Sequence, residues 1–162
     1  MANHDVISYA KLYLRVPYRW WDPNVSCYGD CGPFWAFQGP APTLARVQKE
    51  HLNCAGLLNV ICRHLGVKIP GTDEQSYYAG GTYDWYVFLD RNKKLRPFVA
   101  STEYPVGSLL FRRYKTEQDQ GHIAFVFGTG KVIHSWPEKG VCIDQIFEDY
   151  YEYVSLPSEW AQ

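Results

Sequence analysis

The stretch Gly121–Trp136, GHIAFVFGTGKVIHSW, predicts a β-hairpin and guides the interpretation of the rest of the chain. Its two arms, residues 122–127 and 131–136, are rich in β-branched and aromatic side chains. The Gly128-Thr129-Gly130 segment between them supplies the turn. Each arm carries one histidine, so the geometry of the hairpin determines whether the two imidazoles meet.

The pairing of the two arms decides this question, because side chains alternate between the two faces of a strand. With a three-residue loop, Phe127 pairs with Lys131. His122 and His134 then become diagonal neighbours on one face, roughly 7–8 Å apart. A two-residue loop would place them on opposite faces. Either histidine alone is typical of a polar strand end, but two on one face indicate a functional site with a further member elsewhere in the chain.

The composition predicts one globular domain that spans residues 1–162. With 46% hydrophobic and 20% charged residues, the chain can bury a substantial core. Its net charge is −1 and its like charges form no long run, so the electrostatic signature of a nucleic-acid or membrane-surface partner is missing. We expect a monomer with neither nucleic acid nor membrane among its partners.

The N-terminal stretch MANHDVISYAKLYLR is amphipathic and lacks the apolar core of a signal peptide. No span of the sequence approaches the roughly 20 apolar residues that a transmembrane helix needs. We therefore expect the chain to be cytoplasmic as synthesised. Delivery to a cell wall would then require lysis or a secretion route without a signal peptide.

The five cysteines form an odd set, which argues against a fully paired secreted disulfide framework. Cys62 falls on the apolar stripe of a predicted helix and Cys142 in an alternating stretch, so both are expected to pack. Cys27 and Cys31 lie in a loop rich in Gly, Pro and aromatics, a setting compatible with a local disulfide or with part of a metal site, and the sequence does not decide whether they are bonded. No second ligand pair has zinc-site spacing, so no metal and no cofactor are predicted.

Cys54 has a more reactive position than the other cysteines. In HLNCAGLLNVICRHLG, residues 51–66, Asn53 caps a predicted helix with apolar residues at helical period, and Gly66 ends it. Cys54 opens this helix, where unpaired N–H groups and the helix dipole favour a thiolate with a lowered pKa. On its own, a cysteine here is more readily explained as a small residue at a tight helix start. The histidine pair makes the catalytic interpretation the stronger one.

Several segments, in order along the chain, resemble the NlpC family of papain-like cysteine peptidases. They are RVPYRWW (15–21), LNCAGLLNVICRHLGVKIP (52–70), IPGTDEQSYYAG (69–80), PVGSLLFRR (105–113) and the hairpin itself. Together they cover most of the chain from Val16 to about Trp160. These enzymes usually cleave the amide between D-glutamate and a diamino acid in bacterial cell-wall peptides. The resemblance thus implies a thiol hydrolase that acts on a peptidoglycan stem peptide.

The resemblance also implies a role for each matching residue. Cys54 would be the nucleophile and His122 the general base and acid. His134 would be the polar third member that orients His122, and Tyr18 would place a hydroxyl near the nucleophile and the oxyanion site. Chemistry independently requires a nucleophile, a base within hydrogen-bond reach and an orienting group behind that base.

The residues around the nucleophile depart from the family pattern. The usual frame is Asp-Cys-Ser-Gly, whereas this chain has Asn53-Cys54-Ala55-Gly56. In the family the Asp and Ser help to recognise the free amino end of a cell-wall peptide. Asn53 lacks the negative charge that would pair with an ammonium group, and Ala55 lacks the hydroxyl. These two substrate-binding positions put the usual peptide specificity in question.

The connection before the nucleophile is much longer than in the family, so residues 22–52 are predicted to form an insert. It is rich in Gly, Pro and aromatics and ends in a predicted short helix, 43–51. Long irregular loops are usually functional or flexible. Trp20, Trp21 and Trp35 in and beside the insert either line a substrate groove or pack the insert onto the domain.

The predicted class is α+β, a papain-like NlpC-type fold with the nucleophile helix packed on a central antiparallel β-sheet. Helices are predicted at 5–14 and 54–65, and strands at 108–112, 122–127, 131–135, 141–143 and 151–156. The strand-like WYVFL within residues 80–104 predicts an extra hairpin on the sheet. In this arrangement the first residue of the nucleophile helix points its thiol across the sheet face toward His122.

Three classes of function remain open. The leading one is a thiol hydrolase that cleaves a peptide amide by a Cys-His-His triad. The second uses the same residues as an acyltransferase, deamidase or esterase on a substrate outside the cell wall. The third is a catalytically inactive binding module. A metal site built on His122 and His134 ranks last, because no third ligand has recognisable spacing.

Overall fold

The computed structural model describes residues 3–22, 24 and 33–162. Its helices and strands form an α+β fold, as predicted. The helices are α1 (Asn3–Leu12), α2 (Leu44–Glu50), α3 (Cys54–Leu65), α4 (Thr82–Arg91) and α5 (Pro157–Trp160). The strands are β1 (Arg96–Pro97), β2 (Leu109–Arg112), β3 (His122–Gly128), β4 (Lys131–Trp136), β5 (Gly140–Gln145) and β6 (Tyr153–Ser155). Cys27 and Cys31 lie outside the described residues. None of the helices described is both long enough and apolar enough to span a membrane.

The six strands form one antiparallel sheet in the order β1-β6-β2-β3-β4-β5. Along β3, Ile123 and Phe125 join the apolar cluster that α3 helps to build, whereas Ala124 and Val126 belong to a second cluster on the other face. His122 shares the alternation of the second pair, so its imidazole points away from the face covered by α3. The prediction that the thiol points across a shared sheet face toward His122 is therefore wrong. Cys54 instead lies beside the start of β3, where the Ile123 backbone hydrogen-bonds to its sulfur.

Helix α3 has the predicted bounds, and two hydrogen bonds of Asn53 fix where it starts. The side-chain oxygen of Asn53 accepts a hydrogen bond from the Gly56 N–H at 2.8 Å, and the left-handed Gly66 ends the helix at φ 70°. The Pro33 carbonyl passes over the first turn and accepts a hydrogen bond from the Asn53 N–H at 3.0 Å. A Cβ on Gly56 would lie 2.0 Å from that carbonyl oxygen, so only glycine fits there.

The hairpin has the predicted register along its length, with Val126 opposite Val132. At the turn, however, Gly128 rather than Phe127 pairs with Lys131, so the predicted three-residue loop is wrong. A β-bulge at Phe127 adds one residue to β3 and compensates for the shorter loop. The two histidines therefore remain on one face even though the loop has two residues.

Helix α4 replaces the hairpin predicted within residues 80–104. Its buried Trp85 and Leu89 are four residues apart, which is the spacing of one helix face. The aromatic and β-branched composition of this segment favoured a strand, but its burial follows the helical repeat. Packing against the core thus overrides intrinsic β-propensity here.

A buried asparagine ties α3 to its neighbours. The Nδ2 group of Asn59 donates hydrogen bonds to the carbonyls of Phe34 and Gly80, at 2.7 and 2.9 Å. Its Oδ1 accepts a hydrogen bond from the indole N–H of Trp85 at 2.8 Å. One fully buried amide thus holds the segment before α2, the turn before α4 and α4 itself against α3.

We expect Asn59→Ala to lower the free energy of unfolding by about 3 kcal/mol, because two carbonyls and an indole N–H would be buried without partners. Urea denaturation measures this change. The matched control is Asn92→Ala, which removes an exposed side-chain hydrogen bond to the Phe88 carbonyl and should cost less than about 1 kcal/mol. Equal losses in the two variants would contradict the role of Asn59.

Candidate active site

Cys54 lies where the N-termini of two helices meet. It is the first residue of α3, and its Sγ is 4.0 Å from Oγ1 of Thr82, the first residue of α4. The backbone of Ile123 on β3 also hydrogen-bonds to the sulfur. The side chain is 6% exposed and lines an open cavity, so the thiol is shielded from bulk solvent yet reachable.

A chain of hydrogen bonds connects the two histidines to a carboxylate. His122 Nε2 lies 2.8 Å from His134 Nδ1, and His134 Nε2 lies 2.9 Å from Asp144 Oδ2. Both imidazoles are buried, whereas Asp144 is partly exposed at the far end. Three adjacent strands thus contribute one member each to a continuous polar chain.

Asp144 is ionised at neutral pH. Its burial acts to raise the pKa, but hydrogen bonds from His134, Lys139 and Cys142 lower it to about 2. Lys139 Nζ is 3.0 Å from Oδ1, and Cys142 Sγ is 3.3 Å from Oδ2. The carboxylate is therefore a hydrogen-bond acceptor toward each of these groups.

The charge on Asp144 fixes the proton positions along the chain. Because a carboxylate only accepts, neutral His134 must carry its proton on Nε2 and offer the lone pair of Nδ1. His122 then donates through Nε2, which leaves its Nδ1 unprotonated. This tautomer is the one a general base needs, since Nδ1 is the ring nitrogen that remains to accept a proton from a thiol.

Sequence reasoning missed Asp144, although strand alternation contains the signal. Strand β5 pairs with β4 so that Cys142 lies opposite His134. Asp144 is two residues further on and therefore faces the same side. The predicted strand, 141–143, stopped one residue short of it. Thr82 was missed for a different reason, because its segment was predicted to be part of a hairpin.

Burial favours the neutral forms of both Cys54 and His122. Burial raises the pKa of the Cys54 thiol, although hydrogen bonds from Ile123 and Thr82 act in the opposite direction. Burial and the neighbouring His134 lower the pKa of His122 well below its ordinary value. The predicted low-pKa thiolate is therefore wrong for the resting site, because desolvation outweighs the helix dipole.

Cys54 and His122 both line a cavity of about 610 Å³. Much of its wall is aromatic and includes Trp20, Trp21, Tyr78, Tyr83, Trp136 and Tyr150. Among the described lining residues, the charged ones are Lys115 and Asp119, and each is paired with an opposite charge outside the lining. The space around Cys54 thus offers apolar surface and few uncompensated charges to a ligand.

The structure places Tyr18 and Asn53 on this cavity together with Cys54. A β-bridge pairs Tyr18 with Leu52, two residues before the nucleophile. Burial and the nearby Cys54 raise the pKa of the Tyr18 hydroxyl, so it keeps its proton and can donate a hydrogen bond. The side-chain oxygen of Asn53 is occupied by the helix cap.

The tryptophans predicted to contact substrate divide into two groups. Trp20 and Trp21 line the cavity; Trp20 is 58% exposed, and the Trp21 ring lies 5.8 Å from that of Tyr78. Trp35 is fully buried, and its indole N–H donates to the His51 carbonyl at 2.8 Å. Of the two interpretations given for Trp35, the place in a substrate groove is therefore wrong, since this side chain packs its own segment into the core. Ala55, also fully buried, is likewise part of the core and not of the cavity wall.

This combination of an α+β fold and a helix-terminal cysteine beside a strand histidine is typical of papain-like domains. The sequence pattern of the NlpC/P60 family matches residues 16–157, which include every member of the site. The chain belongs to the NlpC/P60 family. Among curated proteins, none matches this chain in sequence.

Solved structures of the same family share the fold. One is RipD from Mycobacterium tuberculosis, which is described as a non-catalytic NlpC/P60 domain protein adapted to peptidoglycan binding. RipD is 17% identical to this chain with a TM-score of 0.56, and the match covers 94% of this chain and 95% of RipD. The NlpC/P60 domain of the peptidoglycan hydrolase SagA is 15% identical with a TM-score of 0.54, over 96% and 98% of the two chains. The P60 domain of an antigen from M. avium subspecies paratuberculosis is 18% identical with a TM-score of 0.56, over 95% and 93%.

We expect the free energy of unfolding to fall as the pH drops below about 6.5. Both active-site histidines have lowered pKa values in the folded protein, so the unfolded chain binds protons first and acid favours unfolding. Urea denaturation between about pH 7.5 and about pH 5.5 measures this drop. It should shrink in His122→Gln but persist in the exposed-site control His4→Gln. An equal drop in all three proteins would contradict a buried, neutral His122.

Proposed function

We propose that this protein is a cysteine amidohydrolase that cleaves a peptide amide, with a bacterial peptidoglycan stem peptide as its substrate. The observation that carries the proposal is the polar chain from Asp144 through His134 to His122, whose last member lines the same accessible cavity as Cys54. If the two histidines were only structural, His122 would not need the tautomer that leaves its Nδ1 free to accept a proton.

The proposed reaction begins with proton transfer from the Cys54 thiol to His122 Nδ1. The sulfur attacks the amide carbonyl carbon, and the negative charge moves to the carbonyl oxygen. Backbone N–H groups at the start of α3 and the Tyr18 hydroxyl are the donors available to that oxygen. His122 then returns the proton to the leaving amine as the C–N bond breaks and a thioester forms. Water hydrolyses the thioester, with His122 again acting as the base.

His134 and Asp144 act through His122 in this scheme. When His122 accepts the thiol proton, its Nε2–H···Nδ1 hydrogen bond to His134 is charge-assisted and becomes stronger. The Asp144 carboxylate stabilises the positive charge from the far end of the chain and keeps the His134 proton on Nε2, so that Nδ1 retains the lone pair that accepts from His122. Both residues therefore position and stabilise the base without contacting the substrate.

The peptidoglycan assignment is supported by membership of the family, which includes the peptidoglycan hydrolase SagA. The aromatic wall of the cavity is the observation that favours a second candidate, an acyltransferase or esterase with an apolar acyl donor. This alternative uses the same residues as far as the thioester. The products separate the candidates: an acyltransferase passes the acyl group to a nucleophile other than water, and an esterase releases an alcohol instead of an amine.

We expect Cys54→Ala and His122→Ala to lower the rate of stem-peptide cleavage by at least about 10³-fold, because each removes a group that takes part in bond making. His134→Ala should retain measurable activity, since water can partly replace an orienting group. Mass spectrometry of the released amine fragment measures the rates. The exposed-site variant His4→Gln is the control. Unchanged cleavage by Cys54→Ala would contradict the mechanism.

We expect Asn53→Asp to increase the preference for a stem peptide with a free amino end over its N-acetylated form by about tenfold. Aspartate can keep the helix cap and adds the negative charge that an ammonium group would pair with. Competition between the two peptides, followed by mass spectrometry, gives the ratio of kcat/KM values. An unchanged ratio would show that the amino end does not bind beside residue 53.

A further inference from the structure

Three potential metal ligands converge at the far end of the polar chain. The ligand atoms of His134, Cys142 and Asp144 all lie within 4.8 Å of one another, and no other group of three such side chains was found in the part of the chain that the structure describes. His134 Nε2 and Cys142 Sγ lie 2.9 and 3.3 Å from the same Asp144 oxygen, Oδ2. These separations are close to the spacing of neighbouring ligands around one tetrahedral ion.

The strand geometry produces this cluster. Cys142 is the cross-strand partner of His134, and Asp144 follows two residues later on the same face. Cys142 and Asp144 are partly exposed, and neither lines the aromatic cavity. The cluster is thus accessible from the side of the sheet edge strand β5, separately from the substrate cavity.

We propose that His134, Cys142 and Asp144 form an inhibitory Zn²⁺ site. A thiolate, an imidazole and a carboxylate are the ligands zinc prefers, and solvent would complete a four-coordinate ion. On binding, the Cys142 thiol gives its proton to solvent and the sulfur becomes a ligand. Asp144 Oδ2 exchanges its hydrogen bonds from His134 and Cys142 for a bond to the metal.

Inhibition follows from the tautomer of His134, and this step rests on the proposed function. Zinc takes the Nε2 lone pair, so neutral His134 must carry its proton on Nδ1. That N–H then donates to His122 Nε2, which moves the His122 proton to Nδ1. A protonated Nδ1 cannot accept the Cys54 proton, so the metal disables the base without occupying the substrate cavity.

Lys139 opposes zinc at this site. Its ammonium group is 3.0 Å from Asp144 Oδ1 and already neutralises part of the carboxylate charge. Its positive charge also repels a divalent cation close by. The variant Lys139→Met, which lacks this charge, should therefore bind zinc more tightly. The variant Lys139→Arg keeps the charge and should bind zinc nearly as the unchanged protein does.

The binding experiment uses Co²⁺ as a spectroscopic probe in the Cys54→Ala protein, which removes the catalytic thiol as a competing ligand. We expect a thiolate-to-cobalt charge-transfer band that zinc abolishes by displacing the cobalt. Adding Cys142→Ser should remove the band, whereas adding the control pair Cys27→Ser and Cys31→Ser should preserve it. Absence of the band, or its loss with the control pair instead, would overturn the site.

The activity experiment tests the coupling in protein that retains Cys54. We expect Zn²⁺, but not Mg²⁺, to inhibit cleavage, and a chelator to reverse the inhibition. With each rate normalised to that of the same protein without zinc, Cys142→Ser should require at least about tenfold more zinc for half-inhibition. Equal zinc sensitivity in both proteins would overturn the coupling. If the protein binds cobalt through Cys142 but does not cleave any peptide, the proposed function is contradicted while the proposed metal site is still supported.

Discussion

The register of three adjacent strands is the constraint on which the site depends. A single β-bulge at Phe127 keeps His122 and His134 on one face although the hairpin loop has two residues, and the β4–β5 register adds Asp144 to the same face. A shift of one residue in either pairing would turn one imidazole or the carboxylate to the opposite side. Because these side chains are joined by hydrogen bonds, their proton positions are coupled as tightly as their geometry.

Sequence patterns predicted the elements whose local and tertiary preferences agree. The bounds of α3 follow from a cap at Asn53, a helical apolar repeat and a left-handed Gly66, and all three signals are local. In the α4 segment the two preferences disagree, because its aromatic and β-branched residues favour a strand while its burial follows the helical repeat. The bulge at Phe127 was also out of reach, because loop length alone does not reveal an extra residue in one arm.

The sequence predicted those site residues whose position is indicated by a local motif or by strand alternation. The family resemblance and strand alternation pointed to four of these residues: Cys54, His122, His134 and Tyr18. Asp144 could not be predicted in this way, because its place on the same face depends on where β5 ends. The direction of the thiol pKa was predicted wrongly because helix-terminus electrostatics can be inferred from sequence, but the desolvation of Cys54 depends on packing. Trp35 illustrates the same limit: aromatic composition cannot distinguish a cavity wall from a buried contact.

The segment that precedes α2 also takes part in holding α3 in the fold. The Pro33 carbonyl fills the space above Gly56, the Phe34 carbonyl accepts a hydrogen bond from Asn59, and Trp35 is fully buried. Insertions in surface loops are ordinarily dispensable additions. This segment instead belongs to the cooperative unit that unfolds with α3, because deleting it would expose apolar surface and leave buried polar groups without partners. Its removal would leave the Asn59 amide without one of its two carbonyl acceptors and open a space above Gly56.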